Sequence, residues 1–144
     1  MEINRSDYTV LIVDDVMSNV LLLKVLLSNE KFNIITANCG RRALEEAKEK
    51  KPDLLLLDVM MPDLSGFEVA QELKKDPELR DIPIIFLTAL NTTQDIVKGF
   101  QCGANDFISK PFNKEELIIR VMHQISLVAA KRIIVEKTKE LERT

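Results

Sequence analysis

Carboxylate, hydroxyl and amine side chains follow four of the five short apolar runs of this sequence. Asp14 and Asp15 come directly after the first run, Asp58 after the third, Thr88 after the fourth and Lys110 shortly after the fifth. A single aspartate at such a place is commonly a turn residue or a helix cap. Four run ends that carry two adjacent aspartates, an aspartate, a threonine and a lysine instead indicate one chemical site.

The residue types in this group favour phosphoryl transfer assisted by a hard divalent cation. Three clustered carboxylates repel one another, and Mg²⁺, which takes oxygen ligands, would relieve that repulsion. The group contains no histidine or cysteine, which argues against zinc. An aspartate beside such a cation can act as a nucleophile, while a lysine and a threonine hydroxyl can contact phosphoryl oxygens. Mg²⁺ is therefore the cofactor that the sequence predicts.

The elements that must position these side chains alternate regularly along the chain. The apolar runs predict five β-strands, at residues 8–13, 32–36, 53–57, 83–87 and 105–108. The longer segments between them predict helices at residues 17–29, 40–50, 65–75 and 93–101. A fifth helix is expected to begin at Asn113, whose side chain can cap it, with Glu116 completing a capping box.

The predicted strands are apolar on both faces, which is typical of a parallel sheet covered by helices on both sides. We therefore expect an α/β, doubly wound fold of the flavodoxin type, with five helices and a five-stranded parallel sheet in the order 2-1-3-4-5. In that order the strand sequence reverses between strands one and three, where ligands of open α/β sheets bind. Asp14, Asp15 and Asp58 would share one crevice there.

Four motifs together make the sequence resemble the receiver domain of two-component response regulators. They are Val-Asp-Asp at 13–15, Leu-Asp-Val-Met-Met-Pro at 57–62 followed by Gly66, Leu-Thr-Ala at 87–89, and Lys-Pro-Phe at 110–112. The resemblance covers residues 7 to about 125, and the motifs occur in the order of the family. We expect residues 1–126 to form the receiver domain and residues 127–144 to form a helical extension.

The resemblance implies a role for each residue of the group. Asp58 would be the phosphoacceptor, and Thr88 and Lys110 would bind the phosphoryl oxygens. The ligands of Mg²⁺ would be Asp14, Asp15, Asp58 and the backbone carbonyl of Met60. The Lys110–Pro111 peptide bond would be cis. A sensor histidine kinase or a small phosphodonor would supply the phosphoryl group, and the domain would catalyse its own phosphorylation and dephosphorylation without being a classical enzyme.

Thr88 and Phe107 are the expected switch residues. By the same resemblance, Thr88 would move toward a phosphorylated Asp58, and the Phe107 side chain would enter the space that Thr88 leaves. Many family members have tyrosine at this position, and phenylalanine lacks the hydroxyl that such a tyrosine offers to a partner. The alternative is that Phe107 is a core aromatic residue that never moves.

Met60 and Leu90 lie two residues beyond Asp58 and Thr88, at positions that flank the route of the attacking water in the family. Both side chains are apolar in this sequence. They predict slow hydrolysis of the phosphorylated form, and a Met60→Asn variant that decays at an unchanged rate would contradict this prediction.

Two helices carry more apolar residues than one buried face requires. On the first, part of the set would form a docking surface for the partner kinase or, alternatively, pack in the core: Val20, Leu21, Leu22, Leu23, Val25, Leu26 and Leu27. The last helix has apolar residues at near-heptad spacing, namely Leu127, Ala130, Ile134 and Leu141. They predict either a homodimer through a parallel coiled coil or a solvated linker to an output domain. His123, on the same helix, is interpreted as structural rather than as a phosphorelay residue.

The composition sets the remaining expectations. The chain has 144 residues, of which 46% are hydrophobic, and a net charge of -3, which argues against direct nucleic acid binding. No apolar stretch reaches the roughly 20 residues that cross a bilayer, so no membrane association is expected. Cys39 and Cys102 belong to no metal-ligand motif and predict two free thiols in a reducing compartment. We expect a cytoplasmic protein.

Three other classes of protein share parts of the pattern. A phosphatase of the haloacid dehalogenase class would place an Asp-x-Asp pair after its first strand, whereas the pair here is adjacent. A flavodoxin-like cofactor binder would carry a phosphate loop rich in serine, threonine and glycine, and the loop here is acidic. A scaffolding pseudo-receiver is the stronger rival, but it would usually lack one of the five site residues, and all five are present.

Overall fold

The computed structural model describes residues 3–89 and 92–143. Its sheet consists of five parallel strands. They are β1 (Thr9–Val13), β2 (Asn33–Ala37), β3 (Leu54–Asp58), β4 (Ile84–Thr88) and β5 (Asp106–Ser109). Their order across the sheet is β2-β1-β3-β4-β5, which confirms the predicted doubly wound topology. Strands β3 and β4 each begin and end one residue later than predicted, so Asp58 and Thr88 are themselves the last residues of their strands.

Five helices cover the two faces of this sheet. They are α1 (Met17–Asn29), α2 (Gly40–Lys50), α3 (Gly66–Lys75), α4 (Thr93–Gln101) and α5 (Lys114–Arg143). Helices α1 and α5 bury their apolar residues in one core, and α2 and α3 bury theirs in another, to which Cys102 after α4 also belongs. Successive strand residues alternate between the two cores, which explains why the strands are apolar without interruption.

Side chains cap the N-termini of helices α2, α3 and α5. Ser65 and Glu68 form a reciprocal capping box at the start of α3, with bonds of 3.2 and 3.4 Å. At α5 the Glu116 amide donates to Asn113 (3.0 Å), as predicted, but the Glu116 carboxylate accepts from Arg120 instead of closing a capping box. Asp63 caps α2 from a distant part of the chain, because its two oxygens accept from the amides of Gly40 and Arg41.

Helix α5 continues beyond the sheet as a single helix. Ala129 is its last buried residue, and residues 131–142 are exposed. Arg132 pairs with Asp53 at the start of β3, and its guanidinium lies 5.0 Å from the centre of the Tyr8 ring. Contacts between α5 and the domain body thus extend past residue 126. Among the described residues, none of the helices combines the length and apolarity that a bilayer crossing requires.

Candidate active site at the carboxyl ends of the strands

The predicted site residues lie at one edge of the sheet, where the parallel strands end. Asp58 and Thr88 end β3 and β4, and Asp14 directly follows β1. The amide of Asp14 donates to the carbonyl of Ala37 at the end of β2 (3.2 Å), so the path of β1 is fixed up to this carboxylate. The strand order reverses around β1, which is where open α/β sheets bind ligands.

Three carboxylates form an acidic cluster in this crevice. Asp14, Asp15 and Asp58 each offer one oxygen, and these oxygens all lie within 4.8 Å of one another. Asp14 and Asp58 are buried, whereas Asp15 is exposed to solvent. Hard oxygen donors at this spacing, with one side open, fit a single divalent cation that keeps several water ligands. The acidic pocket can therefore bind a metal ion.

Lys110 supplies the positive charge of the site. Its Nζ lies 3.2 Å from Oδ2 of Asp14 and 3.3 Å from Oδ1 of Asp58, so one ammonium group contacts both buried carboxylates. The lysine follows β5 and precedes a cis peptide bond to Pro111, as the resemblance implied. The ammonium group partly balances two negative charges that burial would otherwise make costly.

The electrostatic surroundings of Asp58 stabilise its protonated form relative to that of a solvent-exposed aspartate when no metal ion is present. Burial is the largest effect, and together with the nearby charge of Asp14 it raises the pKa of Asp58 to about 6. Lys110 and a hydrogen bond from the Met60 amide (3.3 Å) act in the opposite direction. A cation at the acidic cluster would stabilise the ionised carboxylate, which is the nucleophilic form.

The loop after β3 is held close to Asp58 by a glycine. The Gly66 amide donates to the carbonyl of Val59 (2.8 Å), and a β-carbon on Gly66 would stand 2.3 Å from the carbonyl oxygen of Asp58. Any larger residue would push the loop away from the strand. Within this loop the Met60 side chain is 66% exposed at the rim of the site. A role of the Met60 carbonyl as a metal ligand stays a prediction, and Leu90 lies outside the described residues.

The predicted switch residues occupy β4 and β5. Thr88 is buried at the end of β4, opposite Ser109 of β5. Phe107 lies beside Phe86 of β4, with ring centres 5.6 Å apart, and beside Phe100 of α4, with centres 5.0 Å apart. The ring is partly buried, so it is neither fully enclosed in the core nor free in solvent.

Sequence reasoning missed the groups that hold Asp14 from helix α1. The Val16 amide donates to Oδ1 of Asp14 (2.9 Å), and the side-chain amide of Asn19 donates to Oδ2 (3.2 Å). Asn19 lies in the first turn of α1, the turn that faces the end of β1. An amide side chain shortly after an acidic pair at the start of a helix was the signal that could have identified it.

Comparisons with known proteins agree with this geometry. Residues 10–122 match the model of the response regulator receiver domain family. The chain is 42% identical to Response regulator PleD of Caulobacter vibrioides over 127 residues, which are 88% of this chain and 27% of PleD. It is also 42% identical to the alkaline phosphatase synthesis transcriptional regulatory protein PhoP of Bacillus subtilis, over 78% of this chain and 46% of PhoP.

Solved receiver structures share the fold. The receiver domain of the sensor histidine kinase PA1611 from Pseudomonas aeruginosa aligns with a TM-score of 0.77 and 28% identity, over 83% of this chain and 98% of that one. That structure has a magnesium ion coordinated in its active site cleft. The present chain spans only about a quarter to a half of the curated relatives it matches.

Proposed function

Because the chain belongs to the response regulator receiver domain family, we propose that it takes a phosphoryl group onto Asp58 in a Mg²⁺-dependent reaction and changes conformation as a result. Receiver domains are signalling domains rather than conventional enzymes. The observation that carries this proposal is the arrangement of the three carboxylates within 4.8 Å of one another with Lys110 between two of them. In the proposed reaction, that arrangement would supply a nucleophile, a metal site and a cation.

The metal would be held by Asp14, Asp15 and Asp58, with the Met60 carbonyl as a further ligand. When bound, Mg²⁺ neutralises charge on the carboxylates and on the phosphoryl oxygens. The acidic pocket itself, and the magnesium ion in the related cleft of the PA1611 receiver, support this assignment. The raised pKa of Asp58 gives a further reason, since two buried carboxylates with one lysine leave the site short of positive charge.

In the proposed reaction, a carboxylate oxygen of Asp58 attacks the phosphorus atom of the donor. A bond forms between that oxygen and phosphorus, and the bond from phosphorus to the donor atom breaks with its electron pair. The donor atom is the ring nitrogen of a kinase phosphohistidine or the acyl oxygen of a small phosphodonor. Lys110 and the Thr88 hydroxyl would bind the phosphoryl oxygens, which carry negative charge throughout. Attack of water on the phosphorus atom of the aspartyl-phosphate would later break its bond to the Asp58 oxygen, which releases inorganic phosphate and returns Asp58 to its carboxylate form.

A sensor histidine kinase is the proposed phosphodonor, and α1 offers it an apolar surface. Three residues of this helix are buried, Val20, Leu23 and Leu27, while its other face is exposed. Exposed apolar side chains on this helix and just before it are Val16, Met17, Leu21, Leu22 and Val25, and Met60 is exposed in the loop that follows Asp58. Such a patch beside a reaction centre suits a partner that must dock for each transfer.

The conformational change would alter the surface formed by α4, β5 and α5, which would transmit it to a partner or to an output domain. Phe107 contacts α4 through Phe100, so a change in its position would alter the surface of that helix. The exposed part of α5 presents Leu127, Ile134 and Leu141 for a homodimer contact or for a link to an output domain. A cytoplasmic location belongs to the same proposal, since Cys39 and Cys102 are both free thiols.

The test is the intact mass of the protein after incubation with acetyl phosphate and Mg²⁺. We expect one added phosphoryl group on the wild type, none without Mg²⁺ and none on Asp58→Ala. An Asp7→Ala variant, which removes an exposed carboxylate before the start of β1, at the opposite end of the strand from the site, should be modified as fully as the wild type. Absence of the adduct in the wild type at short reaction times would reject the proposal and favour a scaffolding pseudo-receiver.

A further inference from the structure

The carboxylate of Asp14 is completely buried, and every donor that contacts it therefore affects its orientation. Its Oδ1 accepts from the Val16 amide at 2.9 Å. Its Oδ2 receives the side-chain amide of Asn19 at 3.2 Å and the ammonium of Lys110 at the same distance. A carboxylate with donors on both oxygens has little freedom to rotate.

These donors differ in what happens to them during the proposed reaction. The Val16 amide belongs to the backbone at the start of α1 and cannot leave. Lys110 also contacts Asp58, and its proposed task is to bind the incoming phosphoryl oxygens, which takes its ammonium group away from Asp14. Asn19 is not expected to bind the phosphoryl group. Its side-chain amide donates to Asp14, and its backbone belongs to the first turn of α1.

We infer that Asn19 is a positioning residue for the metal site, which keeps the Asp14 carboxylate aligned with Asp15 and Asp58 after Lys110 has turned to the phosphoryl group. This inference rests on the proposed function, because it assumes that the acidic cluster binds Mg²⁺. A neutral amide suits the task better than a second lysine would. It donates a hydrogen bond without adding a positive charge that would repel the cation.

Loss of the Asn19 side-chain amide should weaken Mg²⁺ binding without slowing the chemical step. Groups that orient metal ligands typically change metal affinity by about 10- to 100-fold when they are removed. The Val16 bond remains in an Asn19 variant, so we expect a smaller loss, on the order of three- to tenfold in the dissociation constant of Mg²⁺. At saturating Mg²⁺, the rate of phosphorylation of Asp58 should be close to that of the wild type.

The experiment measures Mg²⁺ binding to the phosphate-free protein by titration calorimetry, with Asn19→Ala compared with wild type. Ser18→Ala is the matched control, since Ser18 is exposed in the same turn of α1 and is not among the described residues that donate a hydrogen bond to Asp14. The control should bind Mg²⁺ like the wild type. Asn19→Ser, which keeps a polar side chain too short to reach Asp14, should show the same weakening as Asn19→Ala.

A second measurement excludes a general loss of structure. The rate of phosphorylation by acetyl phosphate is followed over a range of Mg²⁺ concentrations, and thermal unfolding is recorded without metal. We expect the half-saturating Mg²⁺ concentration to rise while the limiting rate stays unchanged. Equal Mg²⁺ affinity of Asn19→Ala and wild type, or a fall in limiting rate alone, would overturn the inference. A wild type that binds no Mg²⁺ would overturn the metal site as well.

Discussion

Gly99 of α4 lies so close to the ring of Phe107 that a β-carbon on it would stand 2.2 Å from Cζ of that ring. The ring is bounded further by Phe86 and Phe100, with centres 5.6 and 5.0 Å away. The ring edge thus occupies the space that a side chain at position 99 would fill. The absence of a side chain at Gly99 is therefore a condition for the observed position of the proposed switch residue.

Adding a methyl group at Gly99 should destabilise the protein only while the Phe107 ring is present. Overpacking costs about 1–3 kcal/mol, and the better helix propensity of alanine returns about 1 kcal/mol. In a Phe107→Ala background the clash disappears, so Gly99→Ala should raise the free energy of unfolding by about 1 kcal/mol. Urea unfolding of the wild type, Gly99→Ala, Phe107→Ala and the double variant measures both effects.

The prediction is tested by whether Gly99→Ala raises or lowers the free energy of unfolding in each background. If Gly99→Ala changes stability in the same direction with and without the Phe107 ring, then the two residues do not compete for one space. The single variant should also differ from wild type in the chemical shifts of α4 and β5, because its ring must move.

The raised pKa of Asp58 makes stability depend on pH in the metal-free protein. An unfolded chain releases the proton of this carboxyl near pH 3.8, whereas the folded protein keeps it until about pH 6. Between these values the folded state binds more protons, so the free energy of unfolding falls as the pH rises. The stabilisation present below pH 3.8 is lost by pH 7, and its size is on the order of 3 kcal/mol.

Asp58→Asn removes this titration while keeping the shape of the side chain. We expect its stability relative to wild type to increase by about 2 kcal/mol from pH 4 to pH 7 in the presence of EDTA, because part of the effect is already lost at pH 4, where most unfolded chains have released this proton. Urea unfolding at several pH values gives the difference, in which titrating groups distant from Asp58 cancel. A difference that stays constant over this range would mean that Asp58 ionises as easily in the folded protein as in the unfolded chain.

The parts of the structure that could be predicted from sequence depend on local patterns. Strand β3 is a continuous apolar run because both of its faces are buried, and such runs reveal strands without knowledge of the fold. Asp58 could be placed at its end because polar residues stop the run. The motif resemblance then joined Asp58 to Asp14 and Lys110 across the sheet, and the structure places these groups within hydrogen-bond distance or close to it.

The contacts that were missed depend on side-chain reach between distant elements. Asp63 caps α2 from the loop before α3, and no pattern around either segment encodes that approach. The buried residues of α1 could be identified as a group, but which of its leucines stay exposed depends on how the helix is turned against the sheet. Leu23 and Leu27 are buried, and Leu22 is 48% exposed.

The apolar side chain of Met60 should keep the aspartyl-phosphate long-lived. It is 66% exposed at the rim of the site, where it can exclude water but cannot orient it by hydrogen bonding. Met60→Asn introduces a hydrogen-bonding group at this place. We expect hydrolysis to become faster on the order of tenfold, below the 10²–10⁴ that a general base supplies.

The measurement is the loss of the phosphoryl adduct with time after the donor has been removed. Met60→Leu serves as the control, because it keeps an apolar side chain of similar size and should decay like wild type. Equal decay rates of Met60→Asn and wild type would remove the role assigned to this position.

The ion pair between Arg132 and Asp53 should hold the exposed end of α5 against the domain. The guanidinium also lies 5.0 Å from the centre of the Tyr8 ring, and the two contacts together are worth about 1 kcal/mol. Arg132→Ala should therefore speed backbone amide exchange in residues 131–142 about fivefold, since this free energy changes the open population by that factor. The global free energy of unfolding should change little.

Lys137→Ala is the matched control, because Lys137 pairs with Glu140 on the same helix at 3.6 Å and is not part of the Arg132–Asp53 contact. Hydrogen exchange followed by mass spectrometry resolves the segment, and equal exchange in both variants would show that the Arg132–Asp53 contact does not hold this part of α5 in place.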